Sequence, residues 1–552
     1  MKLTNKLALI GVLMMVSSCN TNEIISSSSL IDESSSEENI DLNTYVSSVE
    51  RLNDNKTYLK VDGKPYAIRG GQIRIDGLLN RADDDINVMP PLTDEEIEQY
   101  FKKAKECHLN TVELPLEWSY IEKEKDKYDF TLVEKLLNFT NKYGLKCEFL
   151  WFSSNMCGDT HGYTIPAYIK NDTKAYPRLE AENLYTSKMY GELFYLVLDN
   201  ENLMERERLV LNKLMDYVYE YNKQNDNKNP LIGIQVHNEA DGLLRWRLDQ
   251  QKLSLNGNSL AQKQVWEMTL NALNNAGLAI KNSKYKIYTR CNMTTSYGVN
   301  EFPQCPNTNF SPLDVLKLEG IDIIGDDPYS SNPHVINETI KSYNTLNNYP
   351  HISENMGDYS SGPSLFLSAF QAGGSYMFYD LATPKYFIYL NGNSSYQMDQ
   401  GLINNDFSYK SHSYETISII KGIENMGSVI PLINSSSFAA FNINSESIKK
   451  ELTQTINTDN LSLTYTTTNG GVAFAIENDE FVYIYATKPC TFTINNASFI
   501  YKAEIGSFIN DIYKVDEEKI INPLIKIEQE KLYRIKIRNI NEKVTSTTSL
   551  FV

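Results

Sequence analysis

Two glutamates stand where strand-forming runs of the sequence end, and their side chains can carry out acid, base and nucleophilic chemistry. One run reads Ile234-Gln-Val-His-Asn-Glu239 and the other reads His351-Ile-Ser-Glu354-Asn. Hydrolysis of a glycosidic bond with retention needs two carboxyl groups about 5 Å apart, one to protonate the leaving oxygen and one to attack the anomeric carbon. Glu239 and Glu354 are therefore predicted to be catalytic, provided that the fold brings the two strand ends together.

The elements that must position these glutamates alternate regularly along the chain. From residue 57, short β-branched runs alternate with helical patterns, which is typical of βα units around a parallel sheet. Strands are predicted at 66–73, 110–116, 145–152, 231–237, 284–290, 321–325, 350–354 and 374–379, and helices at 93–107, 130–143, 204–221, 262–276, 312–318, 332–347, 363–372 and 414–426. Gly144 and Gly277 are predicted to end two of the helices. Eight such units predict an α/β fold, a (β/α)8 TIM barrel, whose strand ends carry the active site.

Changes of pattern divide the chain into four predicted segments. Residues 1–19 form a signal peptide, 20–56 a Ser/Asp/Glu-rich tether, 57–430 the barrel domain and 431–552 a β-sandwich accessory domain. The last segment is predicted from short alternating strands at 461–467, 472–477, 481–486, 491–494 and 532–537. Long excursions at 153–203 and 241–261 follow strands three and four, on the face where barrel enzymes carry their active sites.

The N-terminus predicts export. Lys2 and Lys6 precede an apolar run at 7–16, and Ser17, Ser18 and Cys19 follow it. This resembles a bacterial lipoprotein signal, which implies cleavage before Cys19, lipidation of Cys19 and anchoring to the bacterial cell membrane. A plain secretory signal is the alternative, and it would leave the protein secreted.

Composition narrows the class of partner. A formal charge of −18 argues against nucleic acid, because nucleic-acid binders collect basic surface, and a neutral carbohydrate substrate fits better. Cys147 with Cys157 and Cys291 with Cys305 could pair in an exported protein, and buried free thiols are the equal alternative. No CxxC and no His-rich spacing is present, so neither a metal nor another cofactor is expected.

Several ordered segments of the barrel region match one known family. The segments are Asn110 to Trp118 with Ile121-Glu122 and Lys127 to Phe130; Gly144 to Phe152 with Tyr163 to Tyr168 and Tyr176 to Arg178; and the strand ends Asn238-Glu239 and Glu354. Together they resemble the clan A retaining barrel glycosidases, and most of all glycoside hydrolase family 35, the β-galactosidase family. The resemblance covers most of 57–430. It implies that Glu239 is the acid/base, that Asn238 binds the sugar hydroxyl next to the anomeric carbon and that Glu354 is the nucleophile.

Further residues at strand ends are predicted to bind substrate. Asp327 and Tyr329 follow strand six, where members of the clan place a tyrosine that hydrogen-bonds the nucleophile. Trp151 and Trp118 either stack on sugar or seal the barrel, and Asn155 either contacts hydroxyls or belongs to an exposed loop.

Three departures from the clan's pattern mean that the sequence does not determine which sugar is the substrate. His237 stands where an acidic residue is common, Glu113 stands where many relatives carry an arginine, and 70–74 lacks the usual acidic and aromatic residues. The sequence therefore predicts an exo-acting retaining β-glycosidase, with β-galactoside as substrate by resemblance. An endo-acting β-glycanase and a non-catalytic surface glycan-binding lipoprotein are the alternatives.

Overall fold

The centre of the molecule is a closed barrel of eight parallel strands. The computed structural model describes residues 45–53, 56–74, 78, 91–184, 192–295, 310–345, 347–358, 360–382, 401–443, 451–522 and 524–538. Barrel strands one to eight are Arg69–Gln72, Thr111–Glu117, Lys146–Met156, Leu231–Asn238, Tyr288–Met293, Ile323–Asp326, His351–Asn355 and Ser375–Phe378. Each strand pairs in parallel with the next along the chain, and strand eight pairs with strand one. Every predicted barrel strand overlaps an observed one, so the predicted TIM barrel is confirmed.

Helices follow the strands and cover the outside of the barrel. They are Asp94–Glu106, Trp118–Ile121, Thr131–Tyr143, Ala167–Asn171, Glu201–Gln224, Gln262–Lys281, Pro333–Tyr343, Gly362–Gln371 and Ser413–Asn425, with a π-helical turn at Leu243–Arg247 and 3-10 turns at Pro312–Lys317, Gly427–Leu432 and Ser435–Ser437. Thr93 and Glu96 form a capping box, in which each side chain accepts the other's backbone N–H. No helix in the part of the chain that the structure describes is long and apolar enough to cross a membrane.

Of the two glycines that were predicted to end helices, one does and the other does not. Gly144 ends its helix in the left-handed conformation, with φ of 60°. The prediction for Gly277 is wrong, because the helix continues through it to Lys281. A Cβ at Gly277 would lie 2.0 Å from the carbonyl oxygen of Gly320, so this glycine allows helix and loop backbones to approach closely.

A small antiparallel sheet precedes the barrel and consists of Ser47–Asn53, Lys56–Val61 and Lys64–Tyr66. The prediction that the tether extends to residue 56 is therefore wrong for residues 47–53. The backbone N–H of Val46 donates to the Lys286 oxygen at 2.8 Å, and the Ser47 hydroxyl donates to the oxygen of Ile232. The sheet thus packs on the N-terminal end of the barrel. Cys19, the predicted signal peptide and residues 20–44 of the predicted tether lie outside the described residues.

Two antiparallel sheets follow the barrel and confirm the predicted β-sandwich. Their strands are Phe438–Ile443, Leu452–Asn457, Ser462–Thr467, Gly471–Asn478, Phe481–Ala486, Cys490–Ile494, Ser498–Ile509, Ile512–Ile520, Ile525–Ile527 and Tyr533–Arg538. Six of these strands form one sheet and four form the other. Phe441 of the larger sheet packs against Tyr465 and Phe492 of the smaller sheet, with ring centroids 5.6 and 5.2 Å away. Alternating apolar residues thus form a core between the sheets.

The larger sheet also packs on the last helix of the barrel, Ser413–Asn425. Tyr485 Oη donates to the Ser418 oxygen at 2.8 Å, and Thr487 Oγ1 donates to Glu415 Oε1 at 2.7 Å. Gly422 faces the Tyr485 ring so closely that a Cβ would lie 2.6 Å from it. The sandwich therefore braces the helix of the eighth unit.

Candidate active site

Glu239 and Glu354 lie at the same end of the barrel. Glu239 directly follows strand four (Leu231–Asn238), and Glu354 belongs to strand seven (His351–Asn355). Because all eight strands run parallel, both strand ends open onto the same rim. Both residues are almost completely buried, at 7% and 3% exposure, and burial, followed by the charge of Glu354, raises the pKa of Glu239. The fold therefore brings the two carboxyl groups within electrostatic reach of each other.

Side chains from strand one and from the segment after strand six hold the Glu354 carboxyl. Tyr329 Oη donates to Oε2 at 2.7 Å, and Gln72 Nε2 donates to Oε1 at 2.7 Å. Burial has the largest influence and raises the pKa of Glu354, whereas these two hydrogen bonds and the charge of Arg290 lower it. Because donors that face a carboxylate favour its ionised form, they offset the cost of burying a charge here.

The Glu239 carboxyl has fewer groups to stabilise a charge. Burial and the charge of Glu354 raise the pKa of Glu239 to about 8, and a hydrogen bond with the Cys157 thiol opposes that rise only in part. Two buried carboxyl groups whose charges repel each other do not both ionise readily, so one of them keeps a proton near neutral pH. We infer that Glu239 keeps it, because a thiol is a weaker donor than the phenol and amide that face Glu354.

A chain of amides and one further carboxyl group lines the rim between strands four and six. Asn292 Nδ2 donates to Asn238 Oδ1 at 3.2 Å and to Asp327 Oδ2 at 2.6 Å, while Asn292 Oδ1 accepts the Glu239 backbone N–H at 2.8 Å. Burial, and then the charges of Glu354 and Glu239, raise the pKa of Asp327 well above its usual range. Asp327 Oδ1 has no hydrogen-bond partner among the described residues. Asp327 therefore has one oxygen held by Asn292 and one buried oxygen without a partner among the described residues.

The barrel interior beneath the site contains a buried arginine. Arg290, on strand five, is completely buried and contacts Gln235 on the adjacent strand four, Glu148 on strand three and Glu113 on strand two. Burial lowers the pKa of Arg290 to about 10, which leaves the guanidinium charged at neutral pH. Arg290 thus places a positive charge below Glu354 from strand five.

Unusual backbone conformations gather at the site. His237, Glu239 and Tyr329 have positive φ values of 60°, 45° and 43°, and Cys157 has a φ of 56°. Non-glycine residues in this region carry strain, which surrounding structure must hold in place and which clusters at functional sites. Glu239 itself and three residues near it share this conformation, which favours a functional centre at this rim.

Of the two roles predicted for Trp118 and Trp151, the structure supports sealing the barrel, and the assignment of these residues to substrate binding is wrong. Both are fully buried, and they pack against each other with centroids 6.3 Å apart. Trp118 Nε1 donates to Glu122 at 3.1 Å, and Trp151 Nε1 donates to Glu207 at 2.9 Å, on the helical side of the barrel wall. No ring face is open to a ligand, so these indoles seal the barrel. The apolar wall near the site is formed instead by Leu150, Phe152, Met156, Met356 and Tyr379, packed against Tyr329.

Asn155 has a structural role in place of the predicted contact with sugar. It is 1% exposed, its Oδ1 accepts the Gly158 N–H at 3.2 Å, and its Nδ2 donates to the Ala240 oxygen at 3.5 Å. Asn155 therefore joins the chain segments that follow strands three and four. Arg247 and Asp159 join the same two segments through an ion pair of 2.8 Å.

The loops that follow strands three and four pack backbone against backbone at Gly158 and Gly242. Gly158 has a φ of 82°, and a Cβ there would lie 2.2 Å from the backbone of Gly242. Gly158→Ala is expected to lower the free energy of unfolding by about 2–5 kcal/mol, from left-handed strain and overpacking together. Urea unfolding followed by tryptophan fluorescence measures the change.

Gly257→Ala is the matched control for Gly158→Ala. Gly257 also has a positive φ, 74°, but a Cβ there meets nothing within 4 Å. Only the left-handed penalty of about 1–2 kcal/mol is expected. Equal losses in the two variants would contradict the close contact of the loops.

The histidines at the strand ends are held by protein groups. His237 Nε2 lies 3.2 Å from Glu207, His351 Nδ1 lies 2.8 Å from Ser375 Oγ, and His161 Nε2 lies 2.7 Å from Asp159. In the described ranges, no three or more His, Cys, Asp and Glu side chains are grouped so that they could hold a metal ion.

Sequence reasoning missed Gln72, Cys157, Asn292 and Arg290 as site residues. Gln72 lies on a short strand with two glycines, and Asn292 lies beyond the predicted end of strand five at residue 290. The one available signal was a charged residue inside a strand, because Glu148 and Arg290 interrupt apolar runs and need each other inside a barrel.

The cysteines that could have paired are free thiols where the structure describes them. Cys147 and Cys157 are both free, so they do not pair with each other. Cys291 is also free, and its possible partner Cys305 lies outside the described residues.

Comparison with protein families identifies one match. Residues 268–448 match a family described as a domain of unknown function (DUF4978). The match spans barrel strands five to eight and the first strand of the sandwich; it includes Glu354 and Tyr329 and begins after Glu239. No curated protein matches the chain.

Solved structures resemble the chain at low identity. An exo-beta-1,4-mannosidase from Opitutaceae bacterium strain TAV5 has a TM-score of 0.44 and 13% identity, covering 66% of this chain and 60% of that chain. A beta-galactosidase from the psychrophilic Marinomonas ef1 has a TM-score of 0.44 and 10% identity, covering 60% and 58%. A Bacteroides uniformis beta-glucuronidase has a TM-score of 0.40 and 12% identity, covering 89% and 48%. The chain thus spans less than two thirds of each of these proteins, and the activities in their names are their own.

Proposed function

We propose that the protein is a retaining β-glycosidase that hydrolyses β-linked glycans by double displacement. The observation that carries the proposal is the pair of buried carboxyl groups at the ends of strands four and seven, with unequal hydrogen-bond partners. Glu354 has the partners of a charged nucleophile, and Glu239 has the raised pKa of a general acid. Retaining glycosidases need one group of each kind.

In the first step, the Glu354 carboxylate attacks the anomeric carbon while Glu239 gives its proton to the leaving oxygen. The bond from the anomeric carbon to that oxygen breaks, and a covalent glycosyl ester forms on Glu354. In the second step, Glu239 takes a proton from water, the water oxygen attacks the anomeric carbon, and Glu354 leaves. Both carboxyl groups thereby return to their starting states.

Asn238 and Asp327 are the residues that we assign to sugar binding. Asn238 directly precedes Glu239, and Asn292 fixes its Oδ1, which leaves its Nδ2 directed toward the rim near Cys157. Asp327 Oδ1, unpaired among the described side chains, can donate to a sugar hydroxyl when the carboxyl is protonated. A β-galactoside is the first substrate to test, because of the resemblance to family 35.

We place the enzyme on the outside of the cell, anchored through a lipid on Cys19. Basic residues, an apolar run and a terminal cysteine support this location, and the polar segment after Cys19 would let the barrel reach glycans beyond the membrane.

A panel of aryl β-glycosides tests the proposed activity. The form that begins at residue 20 would be assayed on galactoside, glucoside, mannoside and glucuronide substrates. Hydrolysis of one of them supports an exo-acting β-glycosidase and names the sugar. Activity on β-linked oligosaccharides alone would indicate an endo-acting enzyme, and binding without any hydrolysis would contradict the proposal.

Tyr329→Phe is expected to lower kcat/KM by roughly 10- to 100-fold, because the variant loses a hydrogen bond to a charged group. That bond lowers the pKa of Glu354, which must be ionised to attack. Its loss raises the pKa, so the acidic limb of the pH profile moves to higher pH. A profile of kcat/KM against pH measures both effects, and an unmoved acidic limb would contradict the role of Tyr329.

A further inference from the structure

Cys157 lies at the junction of strands three and four, beside the acid/base carboxyl group. It follows strand three (Lys146–Met156) in the left-handed conformation, with φ of 56°. Its backbone N–H donates to the Asn238 oxygen at 3.0 Å, one residue before Glu239. The backbone of Cys157 is therefore fixed relative to the end of strand four.

The thiol lies beside Asn238, the last residue of strand four. Cys157 Sγ accepts Asn238 Nδ2 at 3.4 Å, which places the thiol beside Glu239, the next residue, close enough for the thiol and the carboxyl group to shift each other's pKa. Burial, and then the negative charge of Glu239, raise the pKa of Cys157 well above its usual range. The thiol thus stays protonated and acts as a donor to Glu239, without becoming a nucleophile itself.

We propose that Cys157 is a positioning residue for the acid/base: its thiol orients the Glu239 carboxyl and stabilises the carboxylate that remains after the proton has gone to the leaving oxygen. The sulfur keeps its hydrogen throughout, so no bond to sulfur forms or breaks. The inference rests on the proposed glycosidase function and extends it to a residue from the loop after strand three. Cys157 also differs from the other described free cysteines, which are buried, in being partly exposed.

Cys157→Ala and Cys157→Ser test the inference through the pH profile of hydrolysis. Glu239 must be protonated in the first step, so activity falls as the pH rises through its pKa. The thiol lowers that pKa, so Cys157→Ala is expected to move the basic limb up by about 0.5–1 pH unit and to reduce kcat/KM roughly 3- to 10-fold. Cys157→Ser keeps a hydrogen-bond donor, so both the basic limb and kcat/KM are expected to stay close to those of the native protein. Cys490→Ser, in the sandwich, is the control and changes neither.

A merely structural role predicts a different result. If Cys157→Ala and Cys157→Ser lose equal activity with the basic limb unmoved, the inference is overturned. Thermal unfolding of each variant shows whether lost activity comes from lost fold.

Alkylation of Cys157 tests the thiol–carboxyl contact without relying on hydrolysis. Iodoacetamide reacts with the thiolate, and Glu239→Gln removes the charge that raises the thiol's pKa. The folded protein is alkylated at pH 8, and the modified Cys157 peptide is then quantified by mass spectrometry. Alkylation of Cys157 is expected to be roughly threefold or more faster in Glu239→Gln. Equal rates overturn the inference even if the enzyme is active. If no glycoside is hydrolysed but alkylation is faster in the variant, the proposed function fails while the contact stands.

Discussion

Glu354→Ala is expected to lower kcat for an aryl β-glycoside by a factor on the order of 10⁴ to 10⁶, the range found when a hydrolase loses its nucleophile. Without the carboxylate no glycosyl ester can form, and water is too weak a nucleophile to replace it at that face. Removing Glu354 leaves Tyr329 and Gln72 without their acceptor, which costs about 1–3 kcal/mol of stability per buried group. Thermal unfolding must therefore be measured beside kcat.

Azide distinguishes a lost nucleophile from a damaged site. In Glu354→Ala, azide can enter the space of the missing carboxylate and attack from the same face, which yields an α-glycosyl azide and partly restores turnover. Glu338→Ala is the control, since Glu338 lies on an outer helix with its carboxylate paired to Lys341 at 3.0 Å. Residual hydrolysis above about 1% in Glu354→Ala would be incompatible with a nucleophilic role.

Glu239→Ala is expected to reduce kcat/KM by roughly 10²- to 10⁴-fold on glycosides with poor leaving groups. Alkoxide-like leaving groups need a proton in the transition state, whereas a dinitrophenolate does not. Dinitrophenyl glycosides should therefore still form the glycosyl ester, which then accumulates because no base activates water. Stopped-flow release of dinitrophenol measures this burst.

The pH dependence of Glu239→Ala gives a second readout. In the native enzyme activity should fall as the pH rises through the raised pKa of Glu239, about 8, because the acid must be protonated. That basic limb should vanish in the variant, and azide should give a β-glycosyl azide from the accumulated ester. An equal loss on good and poor leaving groups, with the basic limb intact, would assign the acid to another residue.

The barrel was predictable because local patterns and the global fold agree. Each strand is a short apolar run between helical patterns, and parallel pairing in chain order leaves few ways to arrange eight such units. Glu239 and Glu354 close two of those strands, so their common location at one rim follows from the barrel alone. The chemistry proposed for them could therefore be formulated from the sequence.

The partners of the two glutamates were not predictable in the same way. Gln72 reaches Glu354 across 282 residues of sequence, and a lone glutamine after two glycines carries no pattern that indicates this contact. Asn292 was missed because apolar runs define predicted strand ends, whereas polar residues that face a site extend the real strand.

The error over Trp151 has a geometrical cause. Side chains alternate across a strand, so Glu148, Leu150 and Phe152 share one side and Trp151 points to the other. Glu148 contacts Arg290 inside the barrel, which directs Trp151 outward to Glu207 on the helix Glu201–Gln224. Had the inward side been assigned from the charged Glu148, the tryptophan would have been assigned to the helical layer.

In the proposed mechanism, Glu354 forms a covalent bond to the sugar during hydrolysis. The most direct test is incubation with the 2-deoxy-2-fluoro dinitrophenyl analogue of the glycoside that the enzyme hydrolyses, followed by peptide mass spectrometry. The fluorine slows both steps and the dinitrophenolate speeds the first, so the ester persists long enough to be measured. One fluorosugar per chain is expected, on the peptide that contains Glu354. A label on another residue, or rapid turnover with inversion and no label, would contradict it.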